Sequence, residues 1–130
     1  RSTLFPYTTL FRSRDELPLM LKNAECLVLA RPNNKQAKYG YPTKLGEYLL
    51  TENPVVVTKV GDIPLFLENG KNAYLAEAGN PKDIADKIEE ALNSPLAEEV
   101  GKAGAQVAKL CFNSDIEAKK VERFMNGQYL

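Results

Sequence analysis

Histidine and tryptophan are absent from these 130 residues. Without histidine, Ser-His-Asp and Cys-His catalysis, imidazole general bases and His-ligated zinc are excluded from the chain. Any chemistry must come from carboxylates, lysines, hydroxyls, backbone amides or the substrate's own groups. Charge of one sign is lacking too. The 17 Lys and Arg face 17 Asp and Glu, so there is no basic excess of the kind that marks a binder of nucleic acid or anionic membrane. Apolar runs are short: a membrane-spanning helix needs about 20 apolar residues, and no such span occurs. Neutral charge leaves membrane association open, because a basic partner domain can supply it. Cysteine is sparse, with Cys26 and Cys111 far apart. Cys26 falls in the apolar run CLVLA and reads as a small buried hydrophobe, and this thin usage fits a reducing cytoplasm.

What is present begins oddly. RSTLFPYTTLFRS at 1–13 holds three aromatics, two arginines and no acid. Thr3 to Ser13 is identical to the translation of a common sequencing adapter. Residues 1–13 are therefore expected to be non-native, with the natural domain over 14–130 and truncated at its amino end. The alternative is a mobile natural arm. Scars of this kind are set aside in reading a fold. Without Arg1 and Arg12, 15 basic residues stand against 17 acidic ones, a formal net charge of −2.

From residue 14 onward, strand-like and helix-like segments alternate. DELPLMLKNA places Leu17, Leu21 and Ala24 at helical spacing. CLVLA, 26–30, is a continuous apolar run suited to a strand covered on both faces. RPNNKQAKYGYP reads as a loop. TKLGEYLLTEN reads as a helix starting at Pro42 or Thr43, and PVVVT, 54–58, as a β-branched strand. A short helix through IPLFLEN, a break at Gly70 and a third strand in AYLA follow. NPKDIADKIEEALNSP is the clearest helix, with Asn80 or Asp83 at its start and Ile84, Ile88, Ala91 and Leu92 as its apolar stripe. LAEEVGKAGAQVAKLCF and SDIEAKKVERFM supply two more helices, the last with Ser114 as N-cap. Strands separated by helices require crossover connections. The expected fold is an α/β three-layer, Rossmann-like domain with a mainly parallel sheet. Ligands of such sheets bind at the carboxyl ends of the strands, which here are the loops 31–42 and 59–63.

Those loops hold the candidate site. In KYGYPTKLGEYL, the segment Tyr39, Gly40, Tyr41, Pro42 and Thr43 runs into a helix amino end, where free N–H groups and the dipole favour an anion such as a diphosphate. Lys44 can add a cation. Glu47, three residues on, shares its face and can accept two hydrogen bonds from a vicinal diol such as a ribose. Gly61 can bring a second backbone segment into the same crevice. Plainer readings stand beside these. Lys44 and Glu47 can be an ordinary solvated ion pair, Gly40 and Gly61 can simply serve turns, and Tyr39 and Tyr41 can pack on the surface. From the residues alone the site is an anion or nucleotide crevice.

Residues 14–130 resemble the carboxyl-terminal half of family-four glycosyltransferases of the GT-B fold. The resemblance rests on an ordered series of motifs. Pro42, Lys44, Glu47, Tyr48 and Leu49 match a P-x-K-x-x-E-Y-(L/M)-A helix. Pro54 to Val57, then Val60-Gly61, then Asn69-Gly70, then Asn80-Pro81 with Ile84, Ala85 and Ile88 follow in the family's order. The resemblance implies a donor-side domain that holds a nucleotide-sugar, with a missing amino-terminal half holding the acceptor. It implies retaining sugar transfer with no cofactor and no metal ligands, and a fragment that is inactive alone. Glu47 would bind the nucleotide ribose. Tyr39 occupies the place of the family's first Glu, which contacts the donor sugar. The Arg and Lys that clamp the diphosphate belong to a segment upstream of Arg14, so no catalytic residue is assigned. The Tyr39 departure also motivates a second reading, a non-catalytic nucleotide-binding or interaction module on the same half-fold.

Overall fold

The computed structural model describes residues 15–127, so the expectation for 1–13 lies outside the described residues. The elements are α1 (Leu17–Lys22), β1 (Leu27–Leu29), α2 (Lys35–Tyr39), α3 (Thr43–Leu50), β2 (Val55–Thr58), α4 (Ile63–Phe66), β3 (Tyr74–Ala76), α5 (Pro81–Asn93), α6 (Ala97–Cys111) and α7 (Ser114–Met125). The three strands form one sheet in the order β1-β2-β3, parallel throughout. Leu27 aligns with Val55, and Val56 with Tyr74.

Period-two alternation divides the core between the two faces. On one, Leu27, Val55, Val57 and Leu75 meet Leu45 and Leu49 of α3 and Ala108 of α6. On the other, Val56 and Tyr74 meet Ile88 and Ala91 of α5 and Val100 of α6. The layers are thus α5, sheet and α3, as the alternation of elements predicts. β2 is buried along its whole length because it is central and covered on both faces, which is why Val55-Val56-Val57 shows no polar alternation. Val28 remains 38% exposed. It shares the face of Val56, but α5 packs over β2 and β3 and stops short of β1.

α6 runs antiparallel to α3, with Gly101 at Glu52, Gly104 at Leu49 and Phe112 beside Gly46. Small residues let the backbones close up. A Cβ on Gly104 would stand 2.5 Å from the Asn72 carbonyl oxygen. The side chain of Asn53 donates to the carbonyls of Leu21 and Lys22, both at 2.9 Å, and so ties the carboxyl end of α1 to the start of β2.

Three local expectations are corrected. The segment 31–42 is not loop throughout. Asn34 accepts from the Ala37 N–H at 2.8 Å and nucleates α2, a five-residue helix too short to show a period. The cap of α7 is Asn113, whose side-chain oxygen accepts from the N–H groups of Asp115 and Ile116, and Ser114 is the first helical residue. Leu92 leaves the stripe of α5 and is 49% exposed, because Ala91 takes the inward position. Asn80 caps α5 by accepting from the Asp83 N–H, and Pro42 stands at the N-cap of α3 with Thr43 as its first residue.

Candidate functional site

The loops after β1 and β2 meet, as their place at the strands' carboxyl ends requires. Between them lies a cleft of about 250 Å³, whose walls include Arg31, Lys38, Asp62 and the run Tyr39 to Pro42. Four of the residues singled out from sequence, Tyr39, Gly40, Tyr41 and Pro42, line it together. Thr43 and Lys44 follow in the first turn of α3, where Pro42 offers no side-chain cap. The first amides of that helix are therefore left to solvent or a ligand.

A relay of hydrogen bonds shapes the cleft. The Thr58 side chain is buried at 1% exposure. Its hydroxyl accepts from the Arg31 backbone N–H at 2.8 Å and donates to the Arg31 carbonyl at 3.0 Å. The Arg31 guanidinium then donates to the Gly40 carbonyl at 2.6 Å. β2, the end of β1 and the turn before α3 are joined in this way. Gly61 sits at φ +59°, and a Cβ there would lie 2.5 Å from the Lys38 carbonyl oxygen. A side chain at 61 would push α2 off the second loop, so the glycine sets how closely the two walls approach.

The aromatic residues divide. Tyr39 is 80% exposed, with the Lys38 ammonium 5.8 Å from its ring centroid. Tyr41 packs instead on Phe112 at the end of α6, ring centroids 5.2 Å apart, and Phe112 meets Phe66 at 5.4 Å. Partial burial pushes the Tyr41 phenol up to about 12, with a smaller raise from the neighbouring Cys111. On the other side of the chain's first strand, burial raises the Cys26 thiol, partly offset by a backbone hydrogen bond from Val56. Cys26 is half-buried against the Val56 and Tyr74 cluster, so the buried hydrophobe expected there is only partly out of water.

Glu47 lies elsewhere on α3. It lines a second, larger cleft of about 560 Å³ between α1 and α3, walled mainly by Leu17, Pro18, Leu21 and Leu50, with Lys22 at the side. Its carboxylate makes no ion pair with Lys44 and has no protein partner among the described residues. The two clefts are successive along α3. From Pro42 to Glu47 the helix rises about 7.5 Å.

Sequence reasoning missed Arg31, Lys38 and Asp62 on the first cleft and the α1 wall of the second. For Arg31 the signal was its place directly after a predicted strand. Among the described residues no group of three His, Cys, Asp or Glu side chains is arranged to hold a metal. No helix there is long and apolar enough to cross a membrane.

A profile of the family described as "Glycosyl transferases group 1" matches residues 7–107. A curated relative, an uncharacterized glycosyltransferase of Methanocaldococcus jannaschii, is 29% identical over 99 residues, which is 75% of this chain and 27% of that protein. The crystal structure of Anabaena HepE in complex with UDP-glucose superposes with a TM-score of 0.75 at 17% identity, covering 90% of this chain and 31% of that one. The C-terminal domain of a group 1 family protein, LpcC, from Francisella tularensis has a TM-score of 0.66 at 21% identity, covering 80% of this chain and 51% of that domain. The chain therefore spans about a quarter to a third of its longer relatives.

Proposed function

Because the chain belongs to the group 1 glycosyltransferases, we propose that it is the nucleotide-sugar-binding part of a retaining glycosyltransferase. The observation that carries the reading is the unpartnered carboxylate of Glu47 in a mainly aliphatic cleft that also holds Lys22 and Thr51. A base can lie on the walls made by Leu17, Pro18 and Leu21, and the ribose hydroxyls can donate to Glu47. The diphosphate then falls toward the amino end of α3, where free amides, the helix dipole and Lys44 favour negative charge. In transfer, the bond from the anomeric carbon to the phosphate oxygen breaks and its electron pair leaves with the diphosphate. An acceptor hydroxyl oxygen bonds to that carbon on the same face, and its proton passes to the departing diphosphate. Cations and fixed dipoles stabilise that leaving group. The acceptor would be held by an amino-terminal half of the whole protein. HepE is a fitting parallel, being described with bound UDP-glucose.

Glu47→Gln in the complete enzyme is expected to weaken donor binding about 10- to 100-fold, the range for losing charge-assisted hydrogen bonds. Calorimetric titration with a nucleotide-sugar checks this, and an unchanged affinity removes the ribose role. The isolated chain is expected to transfer no sugar. Tyr39 favours a second reading, a nucleotide-binding module without transfer activity, because an exposed phenol beside Lys38 stands where the family resemblance puts a sugar-contacting carboxylate. Sugar transfer by the complete protein would rule that reading out.

A further inference from the structure

We propose that Arg31 is the phosphate-contacting residue of the 250 Å³ cleft, a role nothing in its motif context assigns. The inference rests on reading this edge of the sheet as the donor side. Three observations carry it. Arg31 is held at both ends. Its backbone is clamped by the buried Thr58 hydroxyl, and one guanidinium N–H is spent on the Gly40 carbonyl at 2.6 Å. A guanidinium carries five N–H donors, and the others have no protein acceptor among the described residues although the group lines the cleft. Finally, the charge is uncompensated. None of the ion pairs among the described residues uses Arg31, Lys38 or Asp62, so two cations and one carboxylate share the cleft at a net charge of +1.

A fixed planar fork with free donors matches the paired oxygens of a phosphate. Because the side chain is already immobilised, little rotamer entropy is lost when the anion arrives. Lys38, on the same wall, adds a second positive charge. Asp62 opposes it.

The test titrates the isotope-labelled 130-residue chain with pyrophosphate, UDP and uridine by NMR, at low and moderate salt. Pyrophosphate and UDP are expected to bind more weakly as salt rises. Arg31→Gln should lose about 10- to 100-fold for both, with uridine affinity unchanged. Arg31→Lys should recover part of the loss, and Asp62→Asn should tighten pyrophosphate several-fold. Glucose 6-phosphate tells the two sources of phosphate apart. Tighter binding of UDP identifies the donor diphosphate, tighter binding of the sugar phosphate identifies a phosphorylated acceptor, and dependence on Arg31 supports the assignment in either case.

The assignment is overturned if the wild-type chain binds no pyrophosphate, if Arg31→Gln binds it as tightly as wild type, or if uridine and pyrophosphate weaken in equal proportion. The last result would mean that the loop had merely collapsed. Should pyrophosphate bind through Arg31 while uridine does not bind at all, the nucleoside role of the Glu47 cleft fails and the Arg31 assignment stands.

Discussion

Tyr41 serves two surfaces at once: it lines the cleft, and its ring packs at a tilt on Phe112. Partial burial, with a smaller raise from Cys111, pushes its phenol up to about 12, because ionising it would place charge in a partly dry contact. The folded state therefore holds this proton more tightly than the unfolded chain does. The contribution to stability is complete below the unfolded value near 10, declines as pH rises above it, and is lost through about 12. Carbon-13 labelling of the tyrosine rings should show Tyr41 still protonated where free tyrosine has ionised, and a Phe112→Ala chain should move its midpoint back down. A Tyr41 midpoint near 10 in the intact chain would show that the contact does not exclude water. At this scale much of the cleft was legible. Spacing alone gathered Tyr39 to Pro42, because a loop running into a helix after a strand has few places to go. Arg31 was not legible, since its meaning depends on Thr58, 27 residues away. Nor was the separation of Glu47 from the first cleft, which depends on where α1 packs.

Elements meet through their glycines in two different ways. In α6 the Gly101 position abuts backbone: a Cβ would come within 3 Å of the Glu52 carbonyl and Asn53. In α3 the Gly46 position is open, with the Phe112 side chain at 3.9 Å. The same substitution should then have opposite signs. Gly46→Ala is expected to stabilise the chain by about 0.5–1 kcal/mol, through helix propensity and a less entropic unfolded state. Gly101→Ala gains the same propensity but must force α6 away from the turn before β2. Its net effect should be a loss of about 1–3 kcal/mol. Urea denaturation of both chains decides the point, and equal shifts in the same direction would contradict the antiparallel packing of α3 and α6. The long helices were readable because their apolar stripes run for several turns. α2 was hidden because five residues hold barely more than one turn, and because Asn34, Asn33 and Pro32 signal a turn as readily as a cap. The cap of α7 was misplaced by one residue for a similar reason: both Asn113 and Ser114 are good N-caps, and only backbone geometry chooses between them.

At the scale of the described domain, the three strands form a sheet whose two faces are unequally covered. The fold class followed from the alternation of strand and helix, but the coverage did not, since it depends on where α5 lands. Val56, 1% exposed in the central strand, should cost about 1.5–3 kcal/mol when truncated to alanine. Val28, directly beside it in register, should cost well under about 1 kcal/mol, because no helix lies over it. Chemical denaturation of the two variants measures the contrast, and similar losses would mean that α5 extends over β1. Because every strand pair among the described residues is parallel, no hairpin joins these strands: Leu27 must find Val55 across the whole of α2 and α3. The last described strand ends at Ala76, yet the cover over Leu45 and Leu49 also needs α6, which begins at Ala97. In sequence order, the three described strands thus all precede the helix that completes the cover of one face. Parallel pairing of this kind slows folding, because the closure cost of each crossover comes before the contacts that repay it.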